Sequence, residues 1–107
     1  MYARLFKVVL GPETRQVGGR IADFFDPLLH ELAGFHGVTY FADYEVGEYC
    51  SLTLWDSEET ANESAEFVYP LLIKMLTSAY QWAPQFQMYE VYRPKLEVAD
   101  RGDESPQ

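Results

Sequence analysis

Side chains that could bind or oxidise an aromatic ligand cluster at the end of one predicted strand. Ser51, Thr53 and Trp55 alternate along residues 48–55, and alternate residues of a strand share one face. Two hydroxyls beside an indole ring suit a phenolic ligand, which offers a ring to stack and a hydroxyl to bind. The alternative for Trp55 is structural, with the ring packed in the core and its N–H donating one hydrogen bond. The pattern leaves both roles open.

His30 and His36 are the other candidates for chemistry, because the unperturbed pKa of histidine lies near neutrality. Either could act as a base toward a phenol. His30 lies at the margin of a predicted helix stripe, where an exposed or hydrogen-bonded role is more common than catalysis. His36 lies in a predicted loop between Gly34 and Gly37, and loops often carry functional residues.

The single cysteine, Cys50, excludes an internal disulfide and a cysteine-based metal site within one chain. It alternates with Leu52 and Leu54, which indicates a small packed residue rather than a nucleophile. The two histidines lie on either side of a helix end and do not have metal-site spacing. We therefore expect neither a metal nor another cofactor.

Charge and length limit the class of protein. Seventeen acidic and eight basic residues give a net charge of −9, which disfavours nucleic acid because phosphate contacts need Lys and Arg. The 107 residues should form one domain. No apolar run approaches the roughly 20 residues of a membrane span, and the N-terminus does not resemble a signal peptide. We expect a cytoplasmic protein with no membrane partner.

The first part of the chain is predicted to form a strand and a helix. Residues 2–10 carry apolar side chains on both alternating faces, as in a strand covered on both sides. A helix should start at Gly11-Pro12, kink at Pro27 and end at Gly34. Its apolar stripe consists of Val17, Ile21, Phe24, Leu28 and Leu32.

A hairpin is predicted next. Strands 38–43 and 48–55 flank a short turn that contains a glycine. A second helix should begin where the hairpin ends. Its N-terminal cap is either Ser57 or the pair Asp56 and Glu59, which has capping-box spacing.

Prolines are expected to divide the rest of the chain. Pro70 should break the second helical region into two pieces, and Pro84 should end it. Residues 85–92 alternate well enough for a last strand. Residues 95–107 are polar and acidic without periodicity, which predicts a disordered tail. The apolar stripe of the helical region consists of Ala61, Ala65, Val68, Leu72, Met75 and Ala79.

The predicted element order is βαββαβ, which is that of the α+β ferredoxin-like fold with an antiparallel sheet. One domain should span residues 1–94. Two helices can cover only one face of the sheet, and the chain has nothing left to cover the other. A second copy in a self-complementary homodimer is the simplest cover. The aromatic and apolar residues that need it include Tyr2, Phe6, Tyr40, Tyr49, Trp55, Met88, Tyr89 and Tyr92.

Two motifs carry a family resemblance over about residues 2–94. Gly34-Phe35-His36-Gly37 follows the first helix, and Trp55-Asp56-Ser57-Glu58-Glu59 ends the third strand. With this element order, the sequence resembles the antibiotic biosynthesis monooxygenase-like superfamily of dimeric α+β barrels. The resemblance implies a homodimer. It also implies one of several activities, among them cofactor-free oxidation of phenolic polyketides or quinols and degradation of haem.

The residues that the resemblance would assign to these activities are only partly present. The polyketide oxygenases use an Asn, a Trp and a Tyr, and here Ser51, Trp55 and Ala61 occupy those positions. The haem-degrading members use a second Trp, where this chain has Ser64, together with an Asn in the first strand and a later His. The first strand has no Asn, and no His follows His36.

Two hypotheses follow from these residues. The first is a cofactor-independent monooxygenase-like protein that binds a small aromatic or quinol-type ligand, with Trp55, Ser51, His36 and His30 as candidate catalytic residues. The second is a non-catalytic dimeric binding or stress-response protein whose interior is filled by side chains. An open, aromatic-lined pocket with a convergent polar group would favour the first, and a packed interior the second.

Overall fold

The computed structural model describes residues 1–76 and 82–94, and these form the predicted βαββαβ order. All strand pairs in the described residues are antiparallel, and the strand order is β2-β3-β1-β4. The ferredoxin-like fold is therefore confirmed. The elements are β1 (Tyr2–Val9), α1 (Arg15–His30), β2 (Phe35–Asp43), β3 (Glu48–Trp55), α2 (Glu58–Leu76) and β4 (Trp82–Glu90).

The strand register gives the sheet two distinct faces. Phe6 of β1 pairs with Ser51 of β3 on one side and with Phe86 of β4 on the other, so the three share a face. We call this side, toward the helices, the helix face, and the other side the open face. The open face carries Leu5, Lys7, Phe41, Cys50, Leu52, Leu54 and Tyr89.

The core lies between the helix face and the two helices. Trp55 and Leu76 are completely buried, and Val8, Phe25 and Leu72 are nearly so. Burying a large apolar side chain stabilises the folded state by about 1.5–3 kcal/mol, so this layer is the main source of stability within the chain. No helix in residues 1–76 or 82–94 is long and apolar enough to cross a membrane.

Helix α1 is shorter than predicted at its N-terminal end. It begins at Arg15 rather than at Gly11-Pro12. Gly11 has a φ of 100° and Glu13 a φ of 62°, and left-handed backbone cannot belong to a right-handed helix. The Thr14 hydroxyl donates to the Gly11 carbonyl at 2.6 Å and closes this turn.

The predicted C-terminal end of α1 was also wrong. The helix ends at His30, with Glu31 as its cap, and not at Gly34. Gly34 has a φ of 80° and lies in the turn that leads into β2. Its carbonyl accepts a hydrogen bond from the Asp56 N–H at 2.8 Å, so this glycine joins the start of β2 to the end of β3.

Four of the five predicted stripe residues of α1, Val17, Ile21, Leu28 and Leu32, pack against the core, and the prediction was wrong at Phe24. Phe25 and Leu29 are buried, whereas Phe24 is 48% exposed. Gly18 also faces the sheet, where an added Cβ would overlap the ring of Tyr49. The helix can approach β3 this closely only with its glycine turned toward it.

Both helix prolines lie within continuous helices. Helix α2 runs from Glu58 to Leu76 through Pro70, so the predicted break was wrong, and α1 runs through Pro27. Both prolines are exposed. Water can therefore hydrate the carbonyl that each leaves without a helical N–H, and buried residues on either side hold each helix on the sheet.

The cap of α2 is one of the two predicted alternatives. Ser57 Oγ accepts from the Thr60 N–H at 3.1 Å, and Thr60 Oγ1 accepts from the Ser57 N–H at 3.2 Å. This reciprocal pair has the geometry of a capping box. Asp56 and Glu59 do not form it, because Asp56 pairs with His36 instead.

The last strand starts earlier than predicted. Strand β4 begins at Trp82 and includes Pro84, which therefore does not end a helix. β4 is an edge strand, and its register to β1 shifts between Lys7 and Val9, which is a setting that tolerates proline.

Met75 of the predicted α2 stripe is 40% exposed. Ala79 and the predicted tail, 95–107, lie outside the described residues.

Two adjacent glycines give a matched test of the α1–β3 contact. Gly18→Ala should lower the free energy of unfolding by about 1–3 kcal/mol, because the new methyl group overpacks the Tyr49 ring. In Gly19→Ala nothing lies within 4 Å of the added Cβ, so this variant should raise the free energy of unfolding by about 0.5–1 kcal/mol. Urea denaturation of both variants checks this. Equal effects in the two variants would contradict the contact.

Candidate functional site

A cavity of about 90 Å³ lies between the helix face and the two helices, and it is partly open to solvent. Small residues make the space: Gly18 and Ala22 on α1 face Ser51 on β3. Aromatic rings surround it. An adjoining outer depression of about 210 Å³ shares Gly18, Ala22, Tyr40 and Tyr49 with the cavity. The rings that line the cavity belong to Phe6, Phe25, Tyr40, Tyr49 and Phe86.

Two tyrosine hydroxyls reach residues of α1 or its leading turn. Tyr49 OH lies 3.0 Å from Thr14 Oγ1, and Tyr40 OH donates to Asp26 Oδ1 at 2.7 Å. Burial, and then the hydrogen bond to Asp26, raise the pKa of Tyr40 well above its usual value. The Tyr40 phenol is therefore neutral at pH 7 and links β2 to α1.

Ser51 is the predicted site residue that lines the cavity. It lies in the middle of β3 between Phe6 and Tyr40 of the neighbouring strands. Its hydroxyl has no hydrogen-bond partner within residues 1–76 and 82–94, and it is therefore available to a ligand. Thr53 also lines the cavity, but its hydroxyl donates to the Arg4 carbonyl at 3.3 Å.

Trp55 lies in the core and does not line the cavity. Its Nε1–H donates to Thr53 Oγ1 at 2.8 Å, so its polar group is satisfied inside the protein. The ring packs edge-on against Phe35 with centroids 5.4 Å apart. These are the contacts expected if Trp55 is a structural residue, with its ring packed in the core and its N–H donating one hydrogen bond.

The two histidines lie on the surface, away from the cavity. His36 is in strand β2 rather than in the predicted loop, because β2 begins at Phe35. Its Nε2 donates to the Asp56 carboxylate. His30 is exposed, and its Nδ1 donates to the Asp26 carbonyl at 2.8 Å. Neither histidine lines the cavity, so neither is placed to take a proton from a ligand there.

Cys50 is half-buried. Strand alternation places it with Leu52 and Leu54, and it is also among the residues that line the cavity. Burial, and then the nearby charge of Glu48, raise the pKa of the thiol. A raised pKa keeps the thiol protonated and unreactive at neutral pH. In the part of the chain that the structure describes, no group of three or more His, Cys, Asp or Glu could hold a metal ion.

Arg4 is the cavity residue that the sequence analysis missed. It lies in the middle of β1 on the helix face and is 6% exposed. Its Nη1 donates to the Ala61 carbonyl at 2.5 Å and to Ser64 Oγ at 2.6 Å, both on α2. Burial lowers the pKa of the guanidinium to about 10. The sequence signal was a single charge at an inward position of an otherwise apolar strand.

Comparison with solved structures places this fold among those of antibiotic biosynthesis monooxygenases, which confirms the resemblance at the level of the fold. The monooxygenase ActVA-Orf6 of Streptomyces coelicolor, in complex with nanaomycin D, superposes with a TM-score of 0.70 at 20% identity. The match covers 89% of this chain and 90% of that chain.

Two further structures show the range of proteins with this fold. One from Bordetella bronchiseptica, assigned to the antibiotic biosynthesis monooxygenases, has a TM-score of 0.67 at 15% identity and covers 86% of this chain and 97% of its own. A Nitrosomonas europaea protein of unknown function has a TM-score of 0.74 at 11% identity and covers 89% and 92%. The chain matches no family model and no curated protein. Such similarity shows the fold and leaves the activity to the site.

The placement of Trp55 predicts the result of Trp55→Phe. Phenylalanine keeps most of the ring and removes the N–H that Thr53 accepts. The free energy of unfolding should fall by about 1–3 kcal/mol, from the lost hydrogen bond and ring area. Denaturation and ligand titration should show this loss without a specific change in ligand affinity. A stable variant that loses an aromatic ligand would instead place Trp55 in the binding site.

Proposed function

We propose that the protein is a cytoplasmic homodimer that binds a single-ring phenol or quinol and oxidises it with O₂ without a cofactor. The observation that carries this proposal is the cavity. It is lined with aromatic rings, is partly open, and contains a free hydroxyl at Ser51 and a buried cation at Arg4. Concave, mostly apolar sites with a few convergent polar groups are typical of small-molecule binding.

The size of the cavity supports a small ligand. Its volume of about 90 Å³ is below the ~150 Å³ that accommodates benzene in an engineered protein. A ring must therefore also occupy the adjoining outer depression, which lies between α1 and β2. Tyr40 and Tyr49 line both spaces and would flank a ring that bridges them.

The proposed chemistry uses the electron-rich ring of an ionised phenol as the reductant of O₂. In a phenol, one oxygen atom enters the ring carbon opposite the hydroxyl, and the other leaves as water. One phenol and one O₂ then give one quinone and one water, with no external reductant. In a quinol that carbon already carries a hydroxyl, so the oxygen atom enters a free ring carbon, and one quinol and one O₂ give one hydroxyquinone and one water. In this scheme the apolar wall excludes water from the reacting carbon, and Ser51 hydrogen-bonds the ligand oxygen.

The alternative is a binding protein without catalysis. A specific observation favours it: no carboxylate or histidine lines the cavity in residues 1–76 and 82–94. An oxygenase that must deprotonate its substrate by general base catalysis would need such a group within hydrogen-bond reach. The partly open cavity does not fit the filled interior expected of the second sequence-based hypothesis, so this alternative is a binding protein that uses the cavity without consuming O₂.

The homodimer is proposed from the open face. Leu5, Leu52 and Leu54 are only partly covered there, and Phe41 and Tyr89 are 48% and 47% exposed. A sheet face with this much apolar surface is typical of an interface. A second copy related by a two-fold axis would cover it with the same residues.

Oxygen uptake with a panel of single-ring phenols and quinols tests the function. The wild-type protein should bind at least one of them and consume O₂ in its presence. Ala22→Leu should abolish both effects, because the added side chain fills the cavity that Ala22 lines. Ala33→Leu makes the same change at an exposed position in the turn between α1 and β2, outside both spaces, and should leave both unchanged.

The outcomes of that experiment separate the two hypotheses. Binding that Ala22→Leu abolishes, without any O₂ uptake, would support the binding protein. Uptake that persists in Ala22→Leu would place the reaction outside this cavity.

Light scattering tests the homodimer. The wild-type protein should be a dimer at micromolar concentration. Leu52→Asp should make it a monomer, because a carboxylate at the centre of the open face would be buried without a partner. Phe67→Asp is the control, since Phe67 lies on α2 and is 49% exposed. A wild-type monomer at that concentration, or a dimeric Leu52→Asp protein, would contradict the proposed interface.

A further inference from the structure

Arg4 is a buried cation without a protein counter-ion. No carboxylate in the described residues lies within the 4.0 Å salt-bridge distance of its guanidinium. The acceptors that it does have, the Ala61 carbonyl and Ser64 Oγ, are neutral. Buried charges are expensive unless they are paired, and neutral acceptors compensate the positive charge of Arg4 only in part.

The guanidinium also has unused hydrogen-bond donors. A guanidinium has five N–H groups, and both of its hydrogen bonds in the structure leave from Nη1. The donors on Nε and Nη2 have no acceptor in residues 1–76 and 82–94. Arg4 lines the cavity, so an oxygen atom of a ligand could accept from them.

The two groups of α2 that accept from Arg4 also bond to each other. The Ser64 hydroxyl itself donates to the Ala61 carbonyl at 2.7 Å. The two groups that accept from Arg4 would therefore still be hydrogen-bonded to each other without it. The guanidinium carbon also lies 5.4 Å from the centroid of the Trp55 ring. A side chain of similar length would keep part of this contact.

We propose that Arg4 is a ligand-binding residue and that the cavity selects the ionised form of its ligand, a single-ring phenolate. This inference rests on the proposed function and names the charge state of the ligand. A neighbouring cation in a site that excludes water favours the charged form of a phenol and lowers the pKa of the phenol. The guanidinium stays protonated at neutral pH, because its own pKa is only lowered to about 10.

Arg4 also provides an answer to the lack of a base. The titratable groups that line the cavity besides Arg4, within the described residues, are Tyr40, Tyr49 and Cys50, and none of them is a carboxylate or a histidine. If the bound phenol has a lowered pKa, it loses its proton to solvent, through the open side of the cavity. The ring is then in the form that can donate an electron to O₂.

Binding of 4-nitrophenol tests this inference, because its phenolate is coloured and its ionisation on the protein can be followed by absorbance. In the wild-type protein its apparent pKa should fall by about one unit or more, which corresponds to a roughly tenfold or greater preference for the phenolate. Nitrobenzene has a similar shape without an ionisable oxygen, and it should bind at least about tenfold more weakly than the phenolate at a pH where nitrophenol is ionised.

Variants assign the effect to Arg4. Arg4→Met keeps much of the side-chain length and removes the charge, and it should abolish the pKa shift while leaving the affinity for nitrobenzene within about twofold. Arg4→Lys should retain part of the shift. Arg20→Met removes the same charge from an exposed position on α1 that lines neither space and should behave as wild type. Thermal denaturation establishes that each variant is folded.

Three results would overturn the inference. Equal affinity for the phenolate and nitrobenzene, with an unshifted pKa, would show a cavity that binds aromatic rings without selecting charge, and the proposed function would survive. If the pKa of bound 4-nitrophenol is still lowered in a folded Arg4→Met protein, another group must cause the shift. Failure of both probes to bind would remove the proposed function together with this inference. If Arg4→Met does not fold, the wild-type comparison of the two probes still decides.

Discussion

The pairing of β1 with β3 is the constraint on which the rest of the structure depends. Tyr2 lies opposite Trp55 and Phe6 opposite Ser51, and this register directs Arg4, Ser51 and Trp55 toward the helices. A slip of one residue would reverse every side chain of a strand. It would expose the core tryptophan, bury Lys7 or Glu48, and remove the polar groups from the cavity. The ion pair of Lys7 and Glu48 on the open face, at 3.1 Å, is consistent with the same register.

A cavity exists in this layer because the residues that meet there are small. Gly18 and Ala22 of α1 lie over Ser51 of β3, while the larger Tyr49 and Phe25 support the helix on either side. The close contact of Gly18 with the Tyr49 ring sets how near α1 can come. Filling such a space with apolar side chains normally stabilises a protein. The open cavity is therefore a feature that stability alone does not favour, as expected of a binding site.

Arg4 shows the same opposition between stability and function. Its burial costs free energy that neutral hydrogen bonds to α2 recover only in part. The adjacent Trp55 and Thr53 are hydrogen-bonded to each other, whereas the guanidinium has no counter-ion in the part of the chain that the structure describes. The site thus has a fully packed end around Trp55. At its other end, near Arg4, a ligand could supply the negative charge that the protein lacks.

The sequence by itself determined the element order, the ferredoxin-like fold, the hairpin and the inward position of Ser51, because local periodicity and strand alternation encode them. It misplaced the ends of α1 and the effect of Pro70, since these depend on left-handed residues at Gly11 and Glu13 and on which side of a helix meets water. Only the tertiary structure decided that Trp55 is enclosed, that His30 and His36 lie on the surface, and that Arg4 has no counter-ion. Burial and pairing arise between residues that are far apart in the chain: Arg4 meets α2 some 60 positions later, and no local pattern records that contact.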